Sequence, residues 1–457
     1  YTGWLLWKSR NLSREVSTSF LVAGLVLFNG LALWTTQCDT SGDEPHYLLM
    51  AYSLVHDGDL DLANNYRNQD YQNFYHRGIL EPQGLERIAD GKDYSVHPLG
   101  PVLTILPGFY LAGRLGAALT MAILGAFALF LTLRVLEETG GGGAALRTAG
   151  LIGLFGSPLL LFSGLIFPEI PTAYLVAAGL LLWARGRWGG WGLCLGLLLW
   201  MHNRNDLLVF PGLGLTAYGL WRLKQKRIIS IARFTCGFLP PLAGLVFYLR
   251  ALLGAWTPLG AHKESFSFLF PFHHFFVGFF GLVLDQECGL WFHFPVFALV
   301  LGGIWMTIRS KSSIRMAAPF LFIFYYLTMS FFENLGETPA ARFLVGVTPI
   351  LLVLIYPVLE MTLKRRGWNV LVSFLFGAGV AVNWVLAAVP WARYNKLEGE
   401  NWILKIVGGL VHLPLTRWEP SFNQVPVEPR SYFLSMFWMA LVIGLTVWFL
   451  KSETKSR

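Results

Sequence analysis

The sequence predicts an all-α polytopic membrane protein, and three observations carry the prediction. Hydrophobic residues fill 54% of the 457 positions against 14% charged, more apolar surface than a soluble core could hide. Runs such as LVAGLVLFNGLALW (21–34) and TMAILGAFALFLTL (120–133) are continuous, which suits helices that satisfy their own backbone and not the short alternating segments of a β-barrel. Basic residues fall in short clusters in alternate connections, with most carboxylates in the intervening ones.

At about 20 residues per crossing, the apolar content suits roughly eleven to thirteen helices. The reading adopted is about 12 spans, near 16–36, 114–135, 148–167, 170–184, 189–204, 206–222, 230–252, 290–308, 316–333, 343–360, 369–390 and 432–450. Clusters such as Lys8/Arg10/Arg14, Arg222–Arg227, Arg309/Lys311/Arg315 and Lys364–Arg366 then face the cytoplasm, as do both termini. The same clustering argues against nucleic acid as the partner of the +8 net charge. The first apolar run lacks a small-residue cleavage site and reads as a retained span in an inner, cytoplasmic membrane.

The segment 97–114 is apolar but interrupted by Pro98, Pro101, Pro107 and Gly108, so it is expected to be interfacial or re-entrant. The whole chain, 1–457, reads as one membrane domain. Its main outer loops are 37–113, with juxtamembrane helices, and 391–431, with a medium one at 253–289. Cys38 and Cys288 both fall at the expected outer edge, where a disulfide between them is permitted.

The first outer loop opens on GDEPHYLLMAYSLVHDG (42–58). Pro45 suits a first helical turn and Gly58 a stop, so 45–56 should be a short helix. Tyr47, Leu48, Ala51, Leu54 and Val55 recur on one face, the pattern of a helix lying on a membrane surface. Asp43 and Glu44 stand at its amino end, where an acid can act as a cap or do chemistry. Glu169, in FPEIP between two apolar runs, comes out on the same side, and a carboxylate at membrane depth is costly enough to suggest function.

Cations collect on that side too. His202 and Arg204 in WMHNRND, His262 and Lys263 in GAHKESF, and Arg342 in ETPAARFL all sit at outward span ends, against the usual preference. Together with His46 they are the candidates for contacts to a lipid-borne phosphate or its substrate. Carboxylates beside cations suit group transfer, one taking a proton from an incoming hydroxyl while the cations steady a departing phosphate. Trp256, Trp291, Trp391, Trp402 and Trp418 fit an aromatic belt, and the phenylalanines of 266–276 fit a lipid-facing surface. The scattered histidines lack metal-ligand spacing.

GDEPHYLL after a first span, FPEIP, and YSVHPLGPVLTILPGFY (94–110) resemble the GT-C superfamily of integral-membrane glycosyltransferases. The likeness is to the bacterial branch related to protein O-mannosyltransferases and the lipid A aminoarabinose transferase. DQECGLWFHFPVF (285–297) and GETPAARFLVGVTPILL (336–352) look like motifs of the same group, and PWARYNKLEGENW (390–402) does more loosely. The resemblance implies a GT-C-like helix bundle, a polyprenyl-phosphate sugar donor, transfer on the extracytoplasmic side to a glycan, lipid or protein hydroxyl, and inversion. Asp43 matches the first-loop acid and would be general base, with Glu44 beside it. Glu169 matches the second-loop acid. A divalent cation is left open, and no organic cofactor is expected. The rival expectations are a lipid-linked sugar flippase or other carrier, and a non-catalytic subunit of a membrane complex.

Overall fold

The computed structural model describes residues 2–87, 92–223, 225–257, 272–309, 313–331, 338–394, 399–422 and 427–454. It is an all-α membrane protein. Among the described residues six helices are long and apolar enough to cross a bilayer: Ser13–Thr35, Leu99–Glu138, Gly143–Phe162, Arg227–Leu253, Arg366–Ala388 and Pro429–Ser452. The other expected spans correspond to apolar helices of 17 residues or fewer, such as Glu169–Ala184 and Thr348–Thr362. At 1.5 Å per residue, 17 residues reach about 25 Å, which falls short of a typical hydrocarbon core.

The chain folds as two compact units, one of residues Leu21–Leu131 and Phe162–Leu269, the other of Tyr1–Phe20, Thr132–Leu161 and Phe270–Arg457. The first unit takes most of α1 (Thr2–Thr35), then α2 (Glu44–His56), α3 (Ala63–Asn68) and a small antiparallel hairpin, β1 (Gly84–Arg87) with β2 (Lys92–Ser95), pairing Gly84 with Ser95. The hairpin has no counterpart in the sequence reading. There follow most of α4 (Leu99–Glu138) and, after the chain's excursion into the second unit, α7 (Glu169–Ala184), α8 (Trp188–Met201), α9 (Asp206–Arg222) and α10 (Arg227–Leu253).

Helix α4 is two helices. Its regular dihedrals fail at Ala112 (φ −149°) and Gly113 (φ 56°, ψ −139°), and Gly113 takes a backbone conformation that L side chains rarely adopt. The chain reverses there. A Cβ built on Gly108 would lie 2.3 Å from the Gly116 carbonyl oxygen and 2.3 Å from the Thr120 hydroxyl, so the two arms meet backbone to backbone. The first arm, 99–111, is about 20 Å long at helical rise, too short to cross a bilayer by itself. The same economy of small residues joins α8 to α10, where Gly192 and Gly237 leave no room for a side chain.

The second unit holds α5 (Gly143–Phe155) and α6 (Pro158–Phe162), then α11 (Phe272–Leu284), a helix within the expected 253–289 loop. It continues through α12 (Leu290–His293), α13 (Val300–Ile308), α14 (Ser313–Met329), α15 (Arg342–Val345), α16 (Thr348–Thr362), α17 (Arg366–Ala388), α18 (Trp402–Val411) and α19 (Pro429–Thr454). Helix α16 is its axis, buried from Thr348 to Leu359 and lined against α13, where a Cβ on Gly303 would strike the Leu354 carbonyl. Asn383 fastens α17 to the α5–α6 break by donating to the carbonyls of Phe155 and Ser157, both at 2.9 Å.

All four cysteines are free thiols, so the bridge expected between Cys38 and Cys288 does not form. Cys288 is instead buried, with its N–H donating to Asp285.

Candidate functional site

Helix α2 begins one residue earlier than the proline suggests, with Asp43 at its N-cap position. Its setting differs from the expected surface helix. Tyr47, Leu48, Leu49 and Ala51 are completely buried and Met50 nearly so, so the helix is packed on all sides over its first two turns. Leu49 and Met50, off the expected apolar face, are as hidden as Tyr47 and Leu48. An apolar stripe identifies one buried face and does not exclude a second.

The two acids of the motif separate. Glu44 is buried, its Oε1 accepting the Ile166 N–H at 2.9 Å and its Oε2 the Ser41 N–H at 3.4 Å. It ties the start of α2 to the segment that leads, three residues later, into Glu169. Asp43 is half-buried and its side chain makes no capping hydrogen bond to α2. The 162–168 segment is itself wedged against the end of α1, since a Cβ on Gly164 would stand 2.9 Å from the Thr35 hydroxyl. Asp43 and Glu169 are therefore held in one neighbourhood by backbone-level contacts.

Glu169 opens α7, with its carboxylate 4% exposed and its Oε1 accepting from Arg204 Nη2 at 2.5 Å. Arg204 lies in a one-turn 3-10 segment between α8 and α9, where His202 Nδ1 accepts the Arg204 N–H at 3.2 Å and Asn205 donates to the Thr172 hydroxyl at 3.0 Å. Both charges are buried, so the guanidinium that the sequence offered as a phosphate contact is committed to the second acid. A buried pair of this kind holds geometry, since either charge alone would be strongly disfavoured.

His46 sits one turn into α2, next to Asp43 on the helix surface. Its ring stacks on His97 at 5.0 Å between centroids, 25° from parallel, and its Nδ1 is 3.0 Å from the Tyr66 hydroxyl. Tyr66 also accepts the Gln83 backbone N–H, which favours its own proton pointing to His46 Nδ1 and the imidazole proton on Nε2. His97 in turn donates from Nε2 to Gln83 Oε1 at 2.9 Å. Burial, reinforced by His97 and opposed by the Asp43 charge, pushes the His46 pKa down to about 3. The depressed pKa leaves His46 a neutral imidazole at ordinary pH, able to donate a hydrogen bond but carrying no charge.

The first arm of α4 closes this corner. A Cβ on Gly100 would lie 2.3 Å from the Trp200 carbonyl, so the turn after His97 abuts the end of α8 just before His202. Asp43, His46, His97, Glu169, His202 and Arg204 thus come from elements that meet at one end of the first unit.

Sequence reasoning passed over Arg77. It is 45% exposed, donates from Nη1 to the Ser41 hydroxyl at 3.1 Å and lies 4.0 Å from Asp39, three residues before the acid motif begins at Gly42. The available signal was an arginine ten residues beyond Arg67, in the loop that carries the acids Asp39 and Asp43. Tyr66 was also missed, because its connection to His46 spans 20 residues of irregular chain.

Of the remaining candidates, His262 and Lys263 lie outside the described residues, as do Phe266, Phe268 and Phe270. Arg342 belongs to the second unit, where it opens α15 and is 9% exposed. There DQEC proves to be a polar junction. Asp285 is fully buried, with Oδ1 accepting from the N–H groups of Glu287 and Cys288 at 2.7 and 2.8 Å and Oδ2 from Phe422 at 2.7 Å. Asn401 donates twice to Gln286, from its backbone N–H to Oε1 at 3.1 Å and from Nδ2 to the carbonyl at 2.7 Å, Glu287 takes the Gly399 N–H at 3.0 Å, and the Cys288 carbonyl takes the Ala341 N–H at 2.9 Å. The motif stitches the 399–422 stretch and the segment before Arg342 to one point. Burial pushes the Asp285 pKa up to about 6 against the pull of those N–H donors.

Among the described residues no three His, Cys, Asp or Glu side chains converge as a metal-ligand set. No family model matches the chain, and no curated protein matches it.

Proposed function

We propose that the protein is an inverting, GT-C-type glycosyltransferase of the cytoplasmic membrane that moves a sugar from a polyprenyl phosphate to an acceptor hydroxyl on the extracytoplasmic side. What supports the reading best is the separation of duties around the first acid pair: Glu44 bonded to backbone, Glu169 paired with Arg204, and Asp43 half-buried beside a neutral imidazole. The twelve-span arrangement and outward orientation belong to this proposal, as does the likeness of GDEPHYLL to the first-loop motif of that superfamily.

In the reaction, an acceptor hydroxyl oxygen attacks the anomeric carbon from the face opposite the phosphate. The new C–O bond forms as the bond from carbon to the phosphate oxygen breaks. The bonding pair leaves with the polyprenyl phosphate, and the hydroxyl proton passes to the Asp43 carboxylate. Arg77, an exposed cation bonded to Ser41 just before the motif, is assigned to the departing phosphate, a task suited to the guanidinium fork. Arg204 acts through Glu169, which it orients toward the acceptor. His46 Nε2–H, held by Tyr66, is a neutral donor that steadies Asp43. No step is assigned to a metal, for lack of a ligand set among the described side chains.

The test is to incubate the purified protein with a panel of polyprenyl-phosphate sugars and envelope acceptors and follow free polyprenyl phosphate by mass spectrometry, with and without chelator. Release that depends on Asp43 supports the proposal. Movement of labelled donor across a vesicle membrane without its consumption would instead establish a carrier.

A further inference from the structure

The second unit carries a groove of about 1300 Å³ that the proposed chemistry does not use. Its walls are apolar and come from α11, α12, α13, α14, α16 and α19, with Phe279, Trp291, Trp305, Tyr326 and Ile443 prominent. Along α13 the lining runs from Val300 to Arg309, roughly 14 Å at helical rise, about one leaflet of a bilayer. The lining includes two charged groups, Arg309 and Lys451, both cations, and no carboxylate. Arg309 follows the last residue of α13 and Lys451 is in the last turn of α19, so both mark the end where these helices finish.

From these features we infer that the groove is a binding site for a diacyl phospholipid with a net negative headgroup, its acyl chains along the aromatic wall and its phosphate against Arg309 and Lys451. Charge is the argument. A groove open to lipid would accept any acyl chain, but two cations at one end and no acid along the walls favour an anionic headgroup. The Arg309 guanidinium lies 4.0 Å over the Trp305 ring, which fixes its plane and leaves its N–H edge for phosphate oxygens. Among the described residues it makes no hydrogen bond or ion pair. The positive-inside pattern of the sequence puts this end at the cytoplasmic leaflet, where anionic lipids concentrate. The site uses no residue of the Asp43 centre, and it rests on the protein's being in a membrane with its basic clusters at the cytoplasmic face.

The test is lipid retention. Wild type, Arg309→Gln/Lys451→Gln and Ile443→Trp are purified in mild detergent from a membrane of known composition, delipidated stepwise, and their bound lipid quantified by mass spectrometry. The wild type should retain anionic phospholipid over zwitterionic on the order of tenfold above bulk, about the effect of one or two favourable basic contacts. The double variant should fall to the bulk ratio while still binding lipid. Ile443→Trp, which fills the groove and leaves the cations, should lower total retention. Both variants should unfold at the wild-type temperature, since the altered side chains are exposed or line open space. Unchanged selectivity in the double variant, unchanged retention in Ile443→Trp, or retention of polyprenyl phosphate as the main species would overturn the assignment.

Discussion

Glu44 Oε1 accepts the Ile166 backbone N–H at 2.9 Å, across 122 residues of sequence. That bond does two things at once: it satisfies a buried donor in the segment before Glu169 and it removes Glu44 from the pool of acids available for chemistry. Asp43, adjacent in sequence, makes no such commitment to the helix it precedes.

The two acids should therefore fail differently. Glu44→Ala strands a buried N–H and should cost about 1–3 kcal/mol, visible as a lowered unfolding temperature in detergent. Asp43→Asn should leave that temperature nearly unchanged and reduce donor-dependent polyprenyl phosphate release at least ~100-fold, the usual worth of a general base. A stable, inactive Glu44 variant with an active Asp43→Asn would reverse the assignment.

The Glu169–Arg204 pair predicts a non-additive pattern. Removing one partner leaves a buried, uncompensated charge, so Glu169→Gln or Arg204→Met alone should lose about 3–5 kcal/mol. The double variant replaces the pair by neutral groups of similar size and should recover much of that stability. Turnover should remain low in all three, because each lacks an oriented Glu169. Additive losses in a double-mutant cycle would show that the contact at 2.5 Å carries little coupling.

How much of this was legible in the chain depends on range. Continuous apolar runs and alternate basic clusters were enough for a helical membrane protein, because those properties are local and averaged over many residues. Asp43 and Glu169 were legible as unusual acids at span ends. Their partners were not. The Arg204 bond spans 35 residues and the Ile166 bond 122, and no periodicity reports whether an outward cation meets a ligand or a carboxylate. Asp285 and Gln286 were quoted in a motif, but their work is to accept and donate to backbone near Phe422 and Asn401, more than a hundred residues away. The hairpin of 84–95 lacked strand periodicity altogether, being four residues per strand.

The buried imidazole of His46 sets a pH dependence. Its pKa falls from the usual 6.5 to about 3, so between those values the unfolded chain binds more protons than the folded one, and stability falls as the medium is acidified. The contribution is fully present above about 6.5 and is lost progressively down to about 3. His46→Gln keeps a side-chain acceptor for Tyr66 and removes the titration. It should flatten the acid side of the unfolding-temperature profile between about pH 3 and 6.5, the range between the two pKa values. Asp285 works in the opposite sense. Its raised pKa makes the second unit lose stability as pH rises through about 6, and a profile resolved by unit should show the two slopes with opposite signs.

The reversal in α4 supplies the last test, because its two glycines are needed for different reasons. At Gly113 a Cβ would meet nothing within 4 Å, but the backbone sits at φ 56°, so Gly113→Ala pays only conformational strain, about 1–3 kcal/mol. At Gly108 the backbone is ordinary helix and the obstacle is the facing arm: a methyl would stand 2.3 Å from the Gly116 carbonyl oxygen, which cannot retreat without parting the arms. Gly108→Ala should be the more damaging of the two, and a Thr120→Ala second change should relieve it in part, since the Thr120 hydroxyl is the other atom in the way. The same relief should be absent in the Gly113→Ala background. Gly30→Ala, in α1 with nothing within 4 Å of the new carbon, serves as the control and should be neutral or mildly stabilising. Thermal unfolding of the five proteins in one detergent separates strain from collision: rescue by Thr120→Ala in both backgrounds, or in neither, would mean that the arms do not touch as described.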